Sequence, residues 1–86
     1  MLEHVDGNAL AGTLAGVFGP DATLATGGCG NCGAEAVLAQ ARVERDEVAA
    51  IVRCDSCSHT LFTVFTEADG IRIEIACLGS MRVHGR

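Results

Sequence analysis

The sequence predicts a small α+β domain, a zinc ribbon in which an antiparallel β-sheet of about four to five strands packs with an N-terminal helix. Two Cys-x-x-Cys pairs, separated by residues 33–53, indicate the ribbon. Alternating apolar and polar residues through much of 36–77 indicate the strands, and an apolar stripe at helical spacing precedes them. We take residues 1–86 as a single domain, because a chain this short buries only roughly 60% of its unfolded surface and forms one core at most.

The N-terminal helix is expected at about residues 6–18. Asp6 or Asn8 could accept the free backbone N–H groups at its start. Gly19 and Pro20 would end it, because glycine tolerates a left-handed backbone and proline cannot continue a helix. The apolar residues that recur at the spacing of one helical face are Leu10, Leu14, Val17 and Phe18.

The predicted strands follow the helix along the chain. Residues 36–54 are typical of a hairpin with a polar turn at 45–47, and Asp69-Gly70 is a two-residue hairpin signal because type I′ turns need positive φ. On the last strand Ile71, Ile73 and Ile75 are expected to face inward, and the tail 78–86 receives no assignment. The predicted strands are 22–26, 36–44, 48–54, 60–66 and 71–77.

Composition narrows the function classes. The net charge is −5 and all six basic residues are arginine, which disfavours nucleic acid as a main partner because phosphate binding needs clustered positive charge. No run approaches the ~20 apolar residues of a transmembrane helix, and the acidic N-terminus is unlike a signal peptide. We therefore expect a cytoplasmic protein without membrane association, in which thiols stay reduced.

The two cysteine pairs predict a structural zinc site with Cys29, Cys32, Cys54 and Cys57 as its ligands. Each Cys-x-x-Cys turn presents two sulfurs to one point, and Zn²⁺ prefers a closed tetrahedral shell. Gly33 directly follows the first pair and suits a sharp turn with amides close to sulfur. With few bulky core residues, and Phe18, Phe62 and Phe65 as the only aromatic ones, one zinc per chain is expected to help hold the fold.

Several alternatives to this site stay open from the sequence. Iron in the same four-thiolate cage would give a rubredoxin-like electron carrier, although the two Cys-x-x-Cys turns at 29–33 and 54–58, here called knuckles, lack the proline usual there. A dithiol oxidoreductase would place one pair at a helix N-terminus, and neither pair precedes a convincing helix. His59 could replace one sulfur in a Cys₃His site. Cys77 is interpreted as a small buried hydrophobe, with a replacement ligand or a regulatory thiol as the alternatives.

For function, the sequence favours a protein-interaction or accessory module without catalysis, with a protein partner or a homo-oligomer. Four thiolates leave no ligand position for water, and there is no phosphate-binding loop with its lysine and no serine on a nucleophile elbow. The alternative is a nucleic-acid-binding or transcription-associated ribbon, for which Arg42, Arg53 and Arg72 could form a small patch on one sheet face.

The chain resembles a family of short, uncharacterised actinobacterial proteins. The resemblance covers most of the chain, and its D-G-N-A-x-A-G motif near the N-terminus is its most distinctive part. It implies a zinc-ribbon-like domain and adds no activity. The second knuckle, Cys-Asp-Ser-Cys, lacks the proline that often follows its first cysteine in the family. The positions that carry the resemblance are DGNALAG, Leu14, Phe18, Asp21, Thr23, Ala25, Gly28-Cys29-x-x-Cys32-Gly33 and Arg53-Cys54-x-x-Cys57.

Overall fold

The computed structural model describes residues 3–10, 12–13 and 24–82 of the chain. These residues form eight strands and two short 3-10 helices, at Gly7–Leu10 and Leu38–Gln40. The strands are β1 (Glu3–Asp6), β2 (Thr26–Cys29), β3 (Glu35–Val37), β4 (Arg42–Arg45), β5 (Ala49–Arg53), β6 (Thr60–Glu67), β7 (Gly70–Ile75) and β8 (Leu78–Arg82).

The first sheet has five strands in the order β1-β4-β5-β6-β7, and every neighbouring pair is antiparallel. Strands β4 to β7 are joined by hairpins, so only β1 comes from far along the chain, with Glu3 opposite Arg45. The β6–β7 turn closes with Glu67 opposite Gly70, so the predicted hairpin is present. Its two-residue turn is Ala68-Asp69 rather than Asp69-Gly70, and Asp69 lacks the positive φ of the predicted type I′ turn.

The second sheet has three strands in the order β3-β2-β8, also antiparallel. Its centre, β2, contains Gly27 and Gly28, which are buried between the neighbouring strands. Glycine weakens a strand but permits close approach of the flanking backbone. The segments that follow β2 and β5 carry the cysteine pairs, and contacts between the cysteine sulfurs bring these segments of different sheets together.

The core lies on one face of the first sheet. Val43, Val52 and Phe62 are opposite one another on adjacent strands and are each 1% exposed. Leu38 is brought into the core by the second 3-10 helix, whose first residue it is. The buried hydrophobic residues are Leu10, Ala25, Cys29, Leu38, Ala41, Val43, Ala50, Val52, Cys54, Leu61, Phe62 and Val64. The buried group therefore includes two of the cysteines.

The prediction of an α+β fold with an N-terminal helix at 6–18 is wrong, because the described residues form two antiparallel sheets with short 3-10 helices. Asp6 is the last residue of β1, opposite Arg42, and residues 7–10 form the first 3-10 helix. Gly7 is buried so tightly that a Cβ there would collide with the Leu38 carbonyl, so the lack of a side chain allows the two 3-10 helices to approach closely. Residues 12–13 have helical backbone, and 11 and 14–18 lie outside the described residues.

The remaining strand predictions are partly confirmed. Predicted strands 48–54, 60–66 and 71–77 correspond to β5, β6 and β7 within one or two residues. Predicted strand 36–44 is interrupted by Leu38–Gln40, and only Thr26 of predicted strand 22–26 lies in β2, while 22–23 lie outside the described residues. Ile75, predicted to face inward, is 61% exposed. In the part of the chain that is described, no helix has the length and apolar character needed to cross a membrane.

Candidate metal centre

The four predicted ligand residues converge between the two sheets. The sulfurs of Cys29, Cys32, Cys54 and Cys57 all lie within 4.8 Å of one another, an arrangement that could hold a metal ion. Cys29 ends β2 of the second sheet, whereas Cys54 directly follows β5 of the first sheet. The cluster therefore connects the ends of two strands that belong to different sheets.

The distances between the sulfurs fit a tetrahedral four-thiolate shell. The Sγ atoms of Cys29 and Cys57 are 3.6 Å apart, and so are those of Cys32 and Cys54. A tetrahedron with metal–sulfur distances of ~2.3 Å has edges of ~3.8 Å. A disulfide would need ~2.05 Å, and all four cysteines are free thiols. Each of these two short distances joins a cysteine of one knuckle to a cysteine of the other knuckle.

The two knuckles have the same backbone hydrogen bonds. In the first, the Cys29 N–H donates to the Ala34 carbonyl and the Gly33 N–H to the Cys29 carbonyl, both at 2.9 Å. In the second, the Cys54 N–H donates to the His59 carbonyl and the Ser58 N–H to the Cys54 carbonyl, again at 2.9 Å. Each bond spans the same number of residues, so the site is an approximate repeat of one turn.

The residue after each knuckle has a left-handed backbone. Gly33 has φ 79°, as the sequence predicts for a sharp turn at that position. Ser58, at the equivalent position of the second knuckle, has φ 67° and is the one non-glycine residue with positive φ in the described part of the chain. Such a backbone is costly for a residue with a Cβ atom, so the turn is imposed on Ser58 by its surroundings.

A strand irregularity precedes each knuckle. The pairing of β2 with β8 shifts between Gly28 and Cys29, and the pairing of β5 with β6 shifts between Val52 and Arg53. Bulges of this kind bend a strand and redirect its next side chains, and they are common beside functional sites. Here they allow the chain to leave each sheet and turn its sulfurs towards the other sheet.

Backbone amides favour negative charge on two of the sulfurs. The His59 N–H and then the Asn31 side-chain amide lower the pKa of Cys57 to about 6, against the opposing effect of burial. The Cys32 N–H lowers the pKa of Cys29, and burial partly offsets it. Metal binding needs thiolates, so amides aimed at sulfur prepare the cluster for a cation.

At Cys32, by contrast, burial and the neighbouring sulfurs raise the pKa. The Ala34 N–H would lower the pKa of Cys32, but burial and the contacts with Cys54, Cys57 and Cys29 outweigh it and raise this pKa to about 12. The four sulfurs therefore cannot all carry charge without a counterion at their centre. A divalent cation would supply that counterion, since metal ions deprotonate coordinating thiols.

Cys77 and His59 lie outside the four-sulfur group. Cys77 is half-buried and packs against the core, and burial with the nearby charge of Cys29 raises its pKa, which keeps it a neutral thiol. The imidazole of His59 is exposed, with its Nδ1 3.2 Å from the Asn31 side-chain nitrogen. Cys77 also makes a side-chain hydrogen bond with Cys29, so its thiol lies beside the cluster. Among the described residues, the group that could hold a metal includes neither Cys77 nor His59.

Asn31 is a site residue that the sequence prediction missed. Its backbone N–H donates to the Cys29 sulfur at 3.4 Å, and its side-chain amide donates to the Cys57 sulfur at 3.5 Å. It therefore links the two knuckles around the cluster, as residues that orient metal ligands do. Its position inside Cys-x-x-Cys is visible in the sequence, but the reach of its side chain across to Cys57 depends on the tertiary fold.

Fold and site together define a small all-β domain with a four-cysteine cluster that could bind a metal ion. The chain belongs to the family of unknown function DUF6510, whose profile matches residues 1–86. No curated protein and no solved structure matches the chain. Family membership by itself identifies neither a source organism nor a metal.

Proposed function

We propose that the protein is a zinc-stabilised small domain that serves as a protein-interaction or accessory module without catalysis. The observation that carries the metal part is the convergence of four free thiols from two equivalent knuckles, with 3.6 Å contacts between the knuckles. Bound there, Zn²⁺ would hold the end of β2 to the end of β5 and so join the two sheets.

A structural role is favoured because four cysteines complete the coordination shell. Catalytic zinc keeps one position for water or substrate beside three protein ligands. Cys29 and Cys54, the first residue of each pair, are each only 5% exposed. A metal held by them would lie partly inside the protein, where its chemistry serves folding rather than turnover.

An interaction role is supported by apolar surface and by paired charges. Val48 is 59% exposed and Ile75 is 61% exposed, and they lie beside opposite ends of β6, so each offers a separate apolar contact that a partner could cover. The basic patch that nucleic acid would need is neutralised in part, because Arg53 binds Glu44 and Arg72 binds Glu67. Binding to DNA or RNA in a titration at low salt, where electrostatic binding is strongest, would favour the nucleic-acid alternative.

The identity of the metal is tested by growing cells in medium that contains both zinc and iron. The proposal predicts a colourless protein with one zinc per chain by elemental analysis, and four sulfurs at ~2.3 Å by X-ray absorption. A red protein that contains iron would favour the rubredoxin-like alternative. The matched control is Cys77→Ser, which should leave the metal content unchanged, whereas Cys54→Ser should lower it.

The interaction role is tested by affinity capture from the native host, with the zinc-loaded chain as bait and quantitative mass spectrometry as the readout. A stoichiometric protein partner, or the chain itself in oligomeric form, supports the proposal. A strictly monomeric bait that captures nothing in stoichiometric amounts would contradict it. The protein would count as an enzyme if it had an activity that a single substitution abolished while the metal content and the fold were retained.

A further inference from the structure

Strand β7 forms one edge of the five-stranded sheet. Among the described residues it has β6 on one side and no strand on the other. Open edges present unpaired N–H and C=O groups, and proteins protect them with lysine, proline, bulges or short strands. Residues Gly70–Ile75 contain no proline and pair with β6 without a register shift, and their two charged side chains, Arg72 and Glu74, have opposite signs. The opposite edge, β1, is shorter and carries Glu3, His4 and Asp6.

The hairpin fixes which backbone groups of β7 face the open edge. The Ala76 N–H donates to the Leu61 carbonyl at 2.9 Å, in the register that places Glu74 opposite Thr63. Alternate residues of an antiparallel strand direct their N–H and C=O groups to the same neighbour. The backbone N–H and C=O groups of Arg72 and Glu74 therefore face β6. Those of the three isoleucines, Ile71, Ile73 and Ile75, face the open edge.

We propose that this edge pairs with the β7 strand of a second copy of the chain, antiparallel and about a two-fold axis. The axis passes at Ile73, so that Ile73 of each copy is opposite Ile73 of the other. The segment Ile71-Arg72-Ile73-Glu74-Ile75 then places Arg72 opposite Glu74 and Ile71 opposite Ile75. The outward N–H and C=O groups of the isoleucines meet in hydrogen-bonded pairs across the axis.

Charge selects this register over its neighbours. An axis at Arg72 would place arginine opposite arginine, and an axis at Glu74 would place glutamate opposite glutamate. Like charges directly opposite each other on adjacent strands are destabilising, whereas opposite charges stabilise the pair. The register at Ile73 is thus the one in which both copies of Arg72 gain a carboxylate from the partner.

The side chains on both faces of β7 are compatible with pairing to the β7 strand of a second copy. On the core side, Ile75 is 61% exposed and Ile71 and Ile73 are half-buried, so the pairing covers apolar side chains with apolar side chains. On the other side, the Arg72 guanidinium lies 4.4 Å from the centre of the Phe65 ring and bonds Glu67 at 3.1 Å. Arg72 also bonds Glu74 of its own chain, so the pairing would place the Arg72–Glu74 pair of one copy against the same pair of the other, with opposite charges across the axis.

The pairing is independent of the proposed metal, because none of its residues is one of the four cysteines. Dimerisation and metal content are therefore measured separately. Sedimentation equilibrium of the zinc-loaded chain over a concentration series should give a monomer–dimer equilibrium of 8.8 kDa chains. A protein that remains monomeric at every concentration would overturn the proposal.

Charge reversal tests the register. Arg72→Glu places two glutamates opposite each other, and Glu74→Arg places two arginines opposite each other, so each variant alone should raise the dimer dissociation constant at least about tenfold. The double variant Arg72→Glu/Glu74→Arg restores opposite charges and should regain dimerisation. Thermal unfolding of each variant shows that it remains folded.

Mixing the two single variants provides the sharpest control. An Arg72→Glu chain paired with a Glu74→Arg chain has opposite charges at both positions, so the mixture should form heterodimers although neither component dimerises well. Heterodimers detected by native mass spectrometry support the pairing at Ile73. Dimers of the wild-type chain that survive both single reversals unchanged would show that another surface forms the contact and would overturn the proposal.

Discussion

Two residues at equivalent positions, Gly33 and Ser58, show how each knuckle turns. Both have positive φ, and both donate their N–H to the carbonyl of the first cysteine of their pair. Glycine adopts this backbone without strain, whereas serine does so at a cost. Ser58 gains one side-chain bond in return, since its Oγ accepts from Arg42 at 3.1 Å.

Substitutions at these two positions should affect the free energy of unfolding differently. Gly33→Ala should destabilise the zinc-loaded protein by about 1–2 kcal/mol, from backbone strain alone, because an added Cβ meets no atom within 4 Å. Ser58→Gly should be neutral or stabilising, since relief of strain offsets the greater freedom of the unfolded chain. Chemical denaturation with zinc in excess measures both, and Ser58→Ala isolates the loss of the Arg42 bond. A neutral Gly33→Ala would show that the turn does not require glycine.

Asn31 should tune the affinity of the cluster without being a ligand. Loss of its amide removes a hydrogen bond from the Cys57 sulfur, and residues that orient ligands typically contribute about 10–100-fold in metal affinity. Asn31→Ala should therefore weaken zinc binding by that factor, as measured by competition with a chromophoric chelator. Ser56 occupies the equivalent position of the second knuckle, is exposed, and makes no hydrogen bond among the described residues.

Ser56→Ala is the matched control and should leave the zinc affinity unchanged. Equal losses in both variants would show that the substitutions act on the knuckle turn in general. No loss in Asn31→Ala would remove this residue from the site.

At the scale of elements, local sequence patterns predicted the strands whose partners are close along the chain. Strands β5, β6 and β7 alternate or are rich in branched residues, and each pairs with the next through a hairpin. The misassigned segments pair over long distances, as Glu3 does with Arg45 and Thr26 does with Arg82. Periodicity carries no information about such partners, which is why the sequence pattern places Asp6 at a helix cap and gives no assignment for the tail.

Strand β2 shows that residue preference, like periodicity, does not predict a strand that depends on distant partners. Its sequence Thr-Gly-Gly-Cys disfavours a strand, and the predicted strand 22–26 includes only its first residue. Its place between β3 and β8 overrides that preference. The cysteine cluster could be predicted because four ligands of one type at two fixed spacings suffice, whereas the strand that carries Cys29 could not.

The β4–β5 hairpin should make a pH-dependent contribution to stability through Glu44. The Arg53 guanidinium donates to the Glu44 carboxylate at 2.7 Å and holds the pKa of Glu44 below its ordinary value of 4.5. The unfolded chain therefore binds this proton more readily than the folded one. The stabilisation is complete above about the ordinary value and is lost as the pH falls through the folded-state pKa.

Glu44→Gln removes this contribution. With zinc in excess, the wild-type chain should be more stable than the variant at neutral pH, and the difference should shrink at acidic pH. The difference between two chains with the same cysteines cancels the effect of acid on the metal site itself. Denaturation curves over a pH series measure it, and a difference that stays constant well below 4.5 would contradict the role given to the pair.

At the scale of the whole molecule, the chain builds two small sheets and brings their ends together at sulfur. The core is modest, with Phe62 the largest side chain among those that are fully buried. Domains of this size often gain stability from a metal, and the cysteines are placed where a metal would join the sheets. Spacing predicted the ligand set from the sequence, but the joining of two sheets became apparent only from the fold.

Zinc at Cys29, Cys32, Cys54 and Cys57 is proposed to stabilise the fold. The most direct test measures the free energy of unfolding at a series of buffered free zinc concentrations. Linkage predicts that stability rises by about 1.4 kcal/mol for each tenfold rise in free zinc once the site is filling, because one metal binds the folded chain. A free energy of unfolding that does not change with free zinc would contradict the claim.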